Sequence, residues 1–280
     1  MDFNSSLLGI RNALALLALV LVIEAIIPLY KRNAWHRRHL LPNLGMAALT
    51  FALGTLLNLA LFAGLLWLQG AHLGFFNMIP AVPPVVEIVA VLLMLDFAWY
   101  LTHRSMHLVP SFWRFHAVHH SDLVVDVTTT YRQHPVEGLI RYAFLAAFAF
   151  VVGASPGAFA FYRLWSVFMG QAEHANVRLP QWLDTAISYV TMSPIMHKVH
   201  HSRDRRYTDT NYSQIFSIWD RIFKTCTPAK FGRDIDFGLN GCDSANDQSF
   251  VGLLTLPARQ PYLKSVDYDL PEKGASATRT

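Results

Sequence analysis

Charge is scarce in this sequence. Asp, Glu, Lys and Arg make up only 15% of the 280 residues, where a soluble domain carries about 25%. Hydrophobic residues, at 53%, fill the deficit and gather in runs of the ~20 residues that a bilayer crossing demands. These runs argue against a soluble protein with apolar core helices and for a polytopic membrane protein. Cysteine is scarcer still. Cys226 and Cys242 make neither a disulfide framework nor a CxxC pair, and they cannot hold an iron–sulfur cluster. No GxGxxG opens a plausible nucleotide fold and no haem domain is fused to the chain, so electrons for any redox chemistry must come from outside. HExxH is missing, which excludes the common zinc-protease arrangement. Glu-x-x-His is missing too, which excludes the carboxylate-rich di-iron bundle. The N-terminal run lacks a basic region before it and a small-residue cleavage site after it, and reads as a retained helix.

What is present begins with three spanning candidates, Leu7–Tyr30, Gly45–Leu68 and Val82–Leu101. Gly45, Gly54 and Gly64 in the second would allow close helix approach. Four basic residues lie between 31 and 38, whereas the loop Gln69–Ala81 has no Lys or Arg. The positive-inside rule then puts the 31–38 loop in the cytoplasm and delivers His103 to the same side. Eighteen of the 23 Lys and Arg residues follow from Arg104 onward. This distribution explains the pI near 9.1 by topology, with no call on nucleic acid. Two shorter apolar runs, Leu139–Val152 and Phe159–Met169, flank GASPG and predict a tilted or re-entrant helical hairpin. The expected fold is all-α: a polytopic membrane helix bundle of about three full spans plus a hairpin, with a cytosolic, histidine-rich cap of short helices. Its regions are 1–95, N-terminal spans; 96–225, the histidine-bearing region with the hairpin at 139–169; and 226–280, a cytosolic tail that ends in disorder after Tyr268.

Histidine carries the chemistry. His103 and His107 are spaced HxxxH, His116, His119 and His120 are spaced HxxHH, and His197, His200 and His201 repeat HxxHH. Asp96, Tyr100, His103 and His107 step by four, three and four, so they share one helix face, and Asp96 and Tyr100 are the expected catalytic residues beside the ligands. An acidic residue in a spanning helix is costly and points to a partner; Asp96 is expected to accept the free N–H of a ligand histidine and fix its tautomer. Pro110 stops one helix and starts another, on which 116, 119 and 120 lie within an arc of about 100°. Ser193 and Pro194 sit as N-cap and first residue before the second HxxHH. A catalytic zinc takes about three ligands, so eight imidazoles suit two ions, each with open positions. Imidazole alone admits zinc, copper, iron or nickel. His36, His39 and His72 fall outside these clusters and read as loop or interfacial residues.

HRSMH at 103–107, HAVHH at 116–120 and HKVHH at 197–201, with WRFHAVHHS (113–121), TTTYRQHPVE (128–137) and NYSQIFSIWDRIFKT (211–225), resemble the sterol desaturase and fatty acid hydroxylase superfamily. The resemblance covers roughly 96–225. It implies two iron ions held by His103, His107, His116, His119, His120, His197, His200 and His201, with O2 as co-substrate and a lipid C–H as the target of hydroxylation or desaturation. By context it adds His134 in RQHP and His174 in QAEHAN as further ligands or supporters. It departs from the family at Ser213, where glycine usually follows Asn-Tyr, and at Phe223-Lys224-Thr225, where FGT is common. The partners implied are a lipid substrate, the membrane and an external donor: ferredoxin, haem protein, flavoprotein or reduced pterin. The expected location is a bacterial inner membrane, or the ER if eukaryotic. Two other classes stay open: a zinc-dependent integral membrane lipid hydrolase, which needs part of the histidine set, and a metal carrier, which needs polar residues along several spans.

Overall fold

The computed structural model describes residues 3–31 and 38–259, with side chains from Arg11 onward. Most of the expected basic loop at 31–38, His36 and the expected disordered tail lie outside the described residues. Eleven α-helices are seen among the described residues, with no β-strand. They are α1 (Phe3–Ile26), α2 (Leu40–Gly70), α3 (Pro84–Leu108), α4 (Pro110–His120), α5 (Pro135–Val152), α6 (Pro156–His174), α7 (Gln181–Ser188), α8 (Pro194–His200), α9 (Arg205–Thr208), α10 (Ile218–Ile222) and α11 (Phe250–Thr255).

Proline sets the starts. Pro84, Pro110, Pro135, Pro156 and Pro194 each open a helix, and the residue before each is extended, with ψ between 112° and 157°. Proline at the first helical position loses no hydrogen bond, and it forbids helical backbone in the residue before it. Nothing breaks α3 between Leu101 and Val109, so it runs two turns past the expected end and carries His103 and His107 on its last turns.

Among the described residues, α2, α3 and α5 are long and apolar enough to cross a membrane. They pack with α6 through Leu61 and Leu65 of α2, Val91 and Leu95 of α3, Leu145 and Ala149 of α5, and Phe159 and Tyr162 of α6. The outward faces expose Leu56, Leu66, Trp67, Val86, Val89 and Val151, a surface made for hydrocarbon. Gly64 and Gly45 make room for rings rather than for backbone: a Cβ on either would stand 2.7 Å from Phe150 or Phe250, respectively.

The expected hairpin is present and deep. Its turn, Gly153–Ser155, touches the loop between α2 and α3, where Phe75 N–H donates to Val151 O at 3.0 Å. Its tip therefore reaches the level of the α2–α3 loop, and the 18 residues of α5 rise about 27 Å. Gly74 and Gly153 meet backbone to backbone there, both with positive φ, 91° and 67°.

The region after 225 is not a tail as far as it is described. Gln248 accepts from the buried Arg132 and donates to Ser121 O, while Leu253 and Leu256 pack on Met46 and Val118. It clasps α2 to α4.

Gly153→Ala is expected to destabilise the fold. The added Cβ would lie 2.8 Å from Gly74 C, and left-handed backbone costs a non-glycine residue about 1–2 kcal/mol. A lowered thermal-unfolding midpoint in detergent, against an unchanged one for Gly157→Ala, where a Cβ meets open space, checks this.

Candidate metal centre

The chain end of α1, the start of α2, the ends of α3 and α6 and the start of α5 all meet at one pole of the bundle. The histidines gather there. Nine of them form two buried groups: His103, His107, His116, His120 and His200, and then His119, His174, His197 and His201. The groups do not follow the sequence clusters. On α4, the i, i+4 pair His116 and His120 joins the first group while His119 joins the second. On α8 and the residue that ends it the roles reverse: His197 and His201 join the second group and His200 the first. Each HxxHH thus serves both groups, because residues four apart lie nearly above one another while the third is rotated to the side.

Inside the groups, ring nitrogens face ring nitrogens. His174 Nε2 lies 3.1 Å from His119 Nε2, 3.0 Å from His197 Nε2 and 3.2 Å from His201 Nε2. His116 Nε2 and His120 Nε2 are 3.2 Å apart. Two nitrogens bound at about 2.1 Å to one ion stand about 3.0 Å apart at a right angle and about 3.4 Å at a tetrahedral one. The spacing is that of donors on one coordination sphere. His103 Nε2, His107 Nε2 and His200 Nε2 are buried without a hydrogen-bond partner, a condition rare in native proteins unless something else fills it. Burial, and then the neighbouring imidazoles, hold His116, His119, His120, His197 and His201 well below the ordinary histidine pKa. These are neutral imidazoles, the form that binds a metal, and the residues fit such an ion.

The outward nitrogens are tied down. Nδ1 of His103 donates to Tyr212 O at 2.8 Å, that of His200 to Thr210 O at 2.7 Å, and that of His174 to Gly170 O at 2.7 Å. His116 Nδ1 lies 2.9 Å from Glu137 Oε1 and His107 Nδ1 3.2 Å from Asp209 Oδ1. Such partners fix the tautomer and turn Nε2 inward. Sequence reasoning passed over Glu137 and Asp209. Glu137 stood in the TTTYRQHPVE stretch that carried the resemblance; Asp209 had no signal of its own.

Expectations for four residues are corrected. His134 joins neither group: as the extended residue before Pro135 it caps α5, accepting from Val136 N–H at 3.2 Å, with its ring 5.1 Å from Phe115. Asp96 touches no histidine. Its carboxylate accepts from Ile215 N–H, Phe216 N–H and Trp219 Nε1–H at 3.0, 3.0 and 2.8 Å. It thereby fastens the strap 210–225, whose carbonyls at 210 and 212 orient His200 and His103. Tyr100 shares a hydrogen bond of 3.1 Å with Thr225 Oγ1 and stacks on Phe223, so it too holds the strap. Lys224 in that strap has φ of 59°, a conformation that suits glycine.

His39 is the fourth. It is 1% exposed, with Nδ1 3.1 Å from Asp122 Oδ1 and Nε2 3.3 Å from Asp126 Oδ2. Asn43 and Thr129 also donate to Asp122. Burial pulls the His39 pKa down, but the two carboxylates outweigh it and raise it to about 10. This cluster ties the start of α2 to the chain just after the first HxxHH.

The comparisons with known proteins agree with the site. Residues 88–225 match the family model for fatty acid hydroxylase. The chain is 26% identical over 237 residues to the ornithine lipid hydroxylase OlsE of Rhizobium tropici, covering 81% of this chain and 70% of that one. It is 34% identical over 134 residues to an alkylglycerol monooxygenase of Caenorhabditis elegans, 46% of this chain and 25% of the relative. It is 32% identical over 139 residues to the very-long-chain aldehyde decarbonylase GL1-5 of Oryza sativa subsp. indica, 46% and 22%. The chain thus spans about a quarter of the length of the last two. No solved structure matches it. Three apolar helices long enough to span and a histidine-lined pole are those of an integral membrane protein, and the relatives it resembles are named as a hydroxylase, a monooxygenase and a decarbonylase. The chain belongs to the fatty acid hydroxylase and sterol desaturase superfamily.

Two outcomes are expected here. Asp96→Ala leaves three buried donors unpaired, each worth about 1–3 kcal/mol; the unfolding midpoint in detergent should drop by an amount matching about 3 kcal/mol or more. The second concerns pH. Because folding raises the His39 pKa from 6.5 to about 10, its stabilisation is complete below pH 6.5 and lost as pH rises through 10. The unfolding midpoint should fall across that interval, and His39→Gln should flatten the fall.

Proposed function

We propose that the chain is a membrane-bound di-iron oxygenase that uses O2 and an external reductant to hydroxylate an aliphatic C–H of a lipid. The observation that carries the proposal is the pair of adjoining histidine groups, five donors and four, buried at one pole of a membrane helix bundle. Nine imidazoles exceed what one zinc takes, so the donor set favours two ions over a hydrolase's single one. Hydroxylase and monooxygenase relatives support oxygen insertion over desaturation and support iron as the metal.

In this reading His103, His107, His116, His120 and His200 hold one ion and His119, His174, His197 and His201 the other. Bound iron supplies the activation of O2. One oxygen atom enters the C–H bond; the other leaves as water with two electrons and two protons from the reductant. The chain's own residues do the rest. Glu137, Asp209 and the carbonyls of Gly170, Thr210 and Tyr212 keep the imidazoles oriented, so no reorganisation is needed when charge changes at the site. Helices α3 to α6 and α8 exclude bulk water from it, which limits side reactions. Asp96 and Tyr100 act through the strap. Lys198, fully buried between His197 and Val199, donates to His174 O and fixes the end of α6 against α8. The basic residues at 31–38 support, by the positive-inside rule, a cytosolic orientation of this pole, where a ferredoxin, haem protein, flavoprotein or reduced pterin would deliver electrons.

Elemental analysis of protein purified anaerobically in mild detergent tests the proposal. The expected content is two irons per chain, lowered in His119→Ala, which opens the four-donor group, and in His200→Ala, which opens the five-donor group. One tightly held zinc under iron-replete expression, unaffected by either change, would overturn it in favour of a hydrolase.

A further inference from the structure

The two histidine groups differ in what surrounds them. Among the described residues, the rings of the four-donor group meet only other histidine rings. The five-donor group also meets other aromatic side chains, and one of these leads outward. Trp113, on the first turn of α4, has its ring centre 5.0 Å from that of His107, 5.4 Å from that of His120 and 6.1 Å from that of His116. One half-buried indole thus lies against three of the five donors.

A half-buried tryptophan alone means little, since so large a side chain is rarely covered completely. The place of this one is informative. The chain turns from α3 into α4 directly beside it, where Trp113 N–H donates to Val109 O at 2.9 Å. Leu108 and Val109 at that corner are 61% and 37% exposed, and Pro110 and Ser111 are exposed as well. His107 has a second link to the surface: the Asp209 carboxylate that holds its Nδ1 also accepts from Nε of the exposed Arg205 at 3.1 Å. By contrast Glu137, Gly170 and Tyr212, which hold His116, His174 and His103, are all buried.

Two other aromatic approaches are poorer. Trp99 lies 6.2 Å from His103, but it sits on the apolar part of α3 beneath Arg141. Tyr212 lies 5.1 Å from His107 yet is 2% exposed, and it reaches the surface only through Tyr100 and then Phe223. Trp113 spans the same gap with one ring. Onward passage is also provided, because His120 of the first group and His201 of the second stack at 4.6 Å and 22°.

We propose that Trp113 is the relay through which electrons enter the site, so that the five-donor group receives them and the four-donor group is supplied from it. The inference rests on the oxygenase reading above and deepens it: the carrier stays outside, at the α3–α4 corner. Each passage oxidises a one-electron protein carrier by one electron and reduces one ion from Fe3+ to Fe2+. Two passages supply the two electrons of a turnover. The indole ends each passage unchanged, and no proton travels through it.

Electron injection from a fixed point tests the relay without turnover. A ruthenium bipyridine label is attached at Ser111→Cys in a Cys226→Ser background, and in a second preparation at the native Cys226, which is half-buried just past the strap. Flash excitation with ascorbate under argon reduces the ferric centre of the full chain in nanodiscs, and the rate is read from the loss of ferric absorbance. From Ser111 the transfer should slow about 10-fold or more in Trp113→Leu, the scale on which groups around a metal site act, and recover towards the original rate in Trp113→Phe. From Cys226, Trp113→Leu should leave the rate unchanged. An unchanged rate from Ser111, or equal slowing from both points, overturns the proposal. So does faster transfer from Cys226 than from Ser111 with Trp113 intact, a comparison that stands even if neither variant folds. Iron is measured on every preparation, and a chain that holds none sinks the oxygenase reading instead. Cupric ion loaded on the same histidines would then take the flash electron and still decide the route.

Discussion

A neutral imidazole has one N–H and one lone pair, and where the N–H is committed outward the lone pair must face inward. Five of the nine clustered histidines are committed in this way, to the carbonyls of Tyr212, Thr210 and Gly170 and to the carboxylates of Glu137 and Asp209. Their inner nitrogens converge with those of four more. Lone pairs crowded at 3.0–3.2 Å repel unless a cation lies among them. The pole of the bundle is organised to hold that arrangement against its own repulsion.

Much of the polar structure around the site serves this end through the backbone. Asp96 grips Ile215, Phe216 and Trp219, and Asp220 accepts from Tyr212 and Ser213 N–H at 2.9 Å each. Together they set the strap whose carbonyls receive His103 and His200. On the opposite flank Glu24 accepts from Val127 and Asn176 N–H, fixing the chain on either side of α5 and α6. Arg132 reaches Val118 O, Asn43, Ser121 and Gln248. Acidic residues in helices that read as membrane spans are thus spent on loop amides. Asp96, with three donors, and Glu24, with two, are tolerated at this depth because their carboxylates are paired.

The helices and the chemistry of the pole were legible in the sequence for definite reasons. Apolar runs show as runs, and prolines mark starts that the backbone then obeys at all five of Pro84, Pro110, Pro135, Pro156 and Pro194. The histidine spacings showed which residues matter. They did not show how the two HxxHH motifs would be shared, because that depends on how α4 and α8 face each other across the pole. Asp96 was read one step too close: its face on α3 was right, but periodicity cannot tell a histidine from the strap packed between. His39 and His134 failed in opposite directions. A histidine just before a spanning helix looks like surface until Asp122 and Asp126 arrive from more than 80 residues away, and His134, read as a ligand or supporter from its context in the resemblance, turns out to cap α5.

The sharing of the two motifs has a consequence for how the protein is made. Three donors of the first HxxHH leave the ribosome about eighty residues before the second, next to the three already-translated spans. Yet neither group is closed by them: the first needs His200 and the second needs His197 and His201 as well as His174. An unfinished chain therefore has no complete half to fill. The two groups differ in when they are assembled: the first has four of its five donors before α8 exists, whereas the second has only His119 and His174 until α8 has been synthesised and docked.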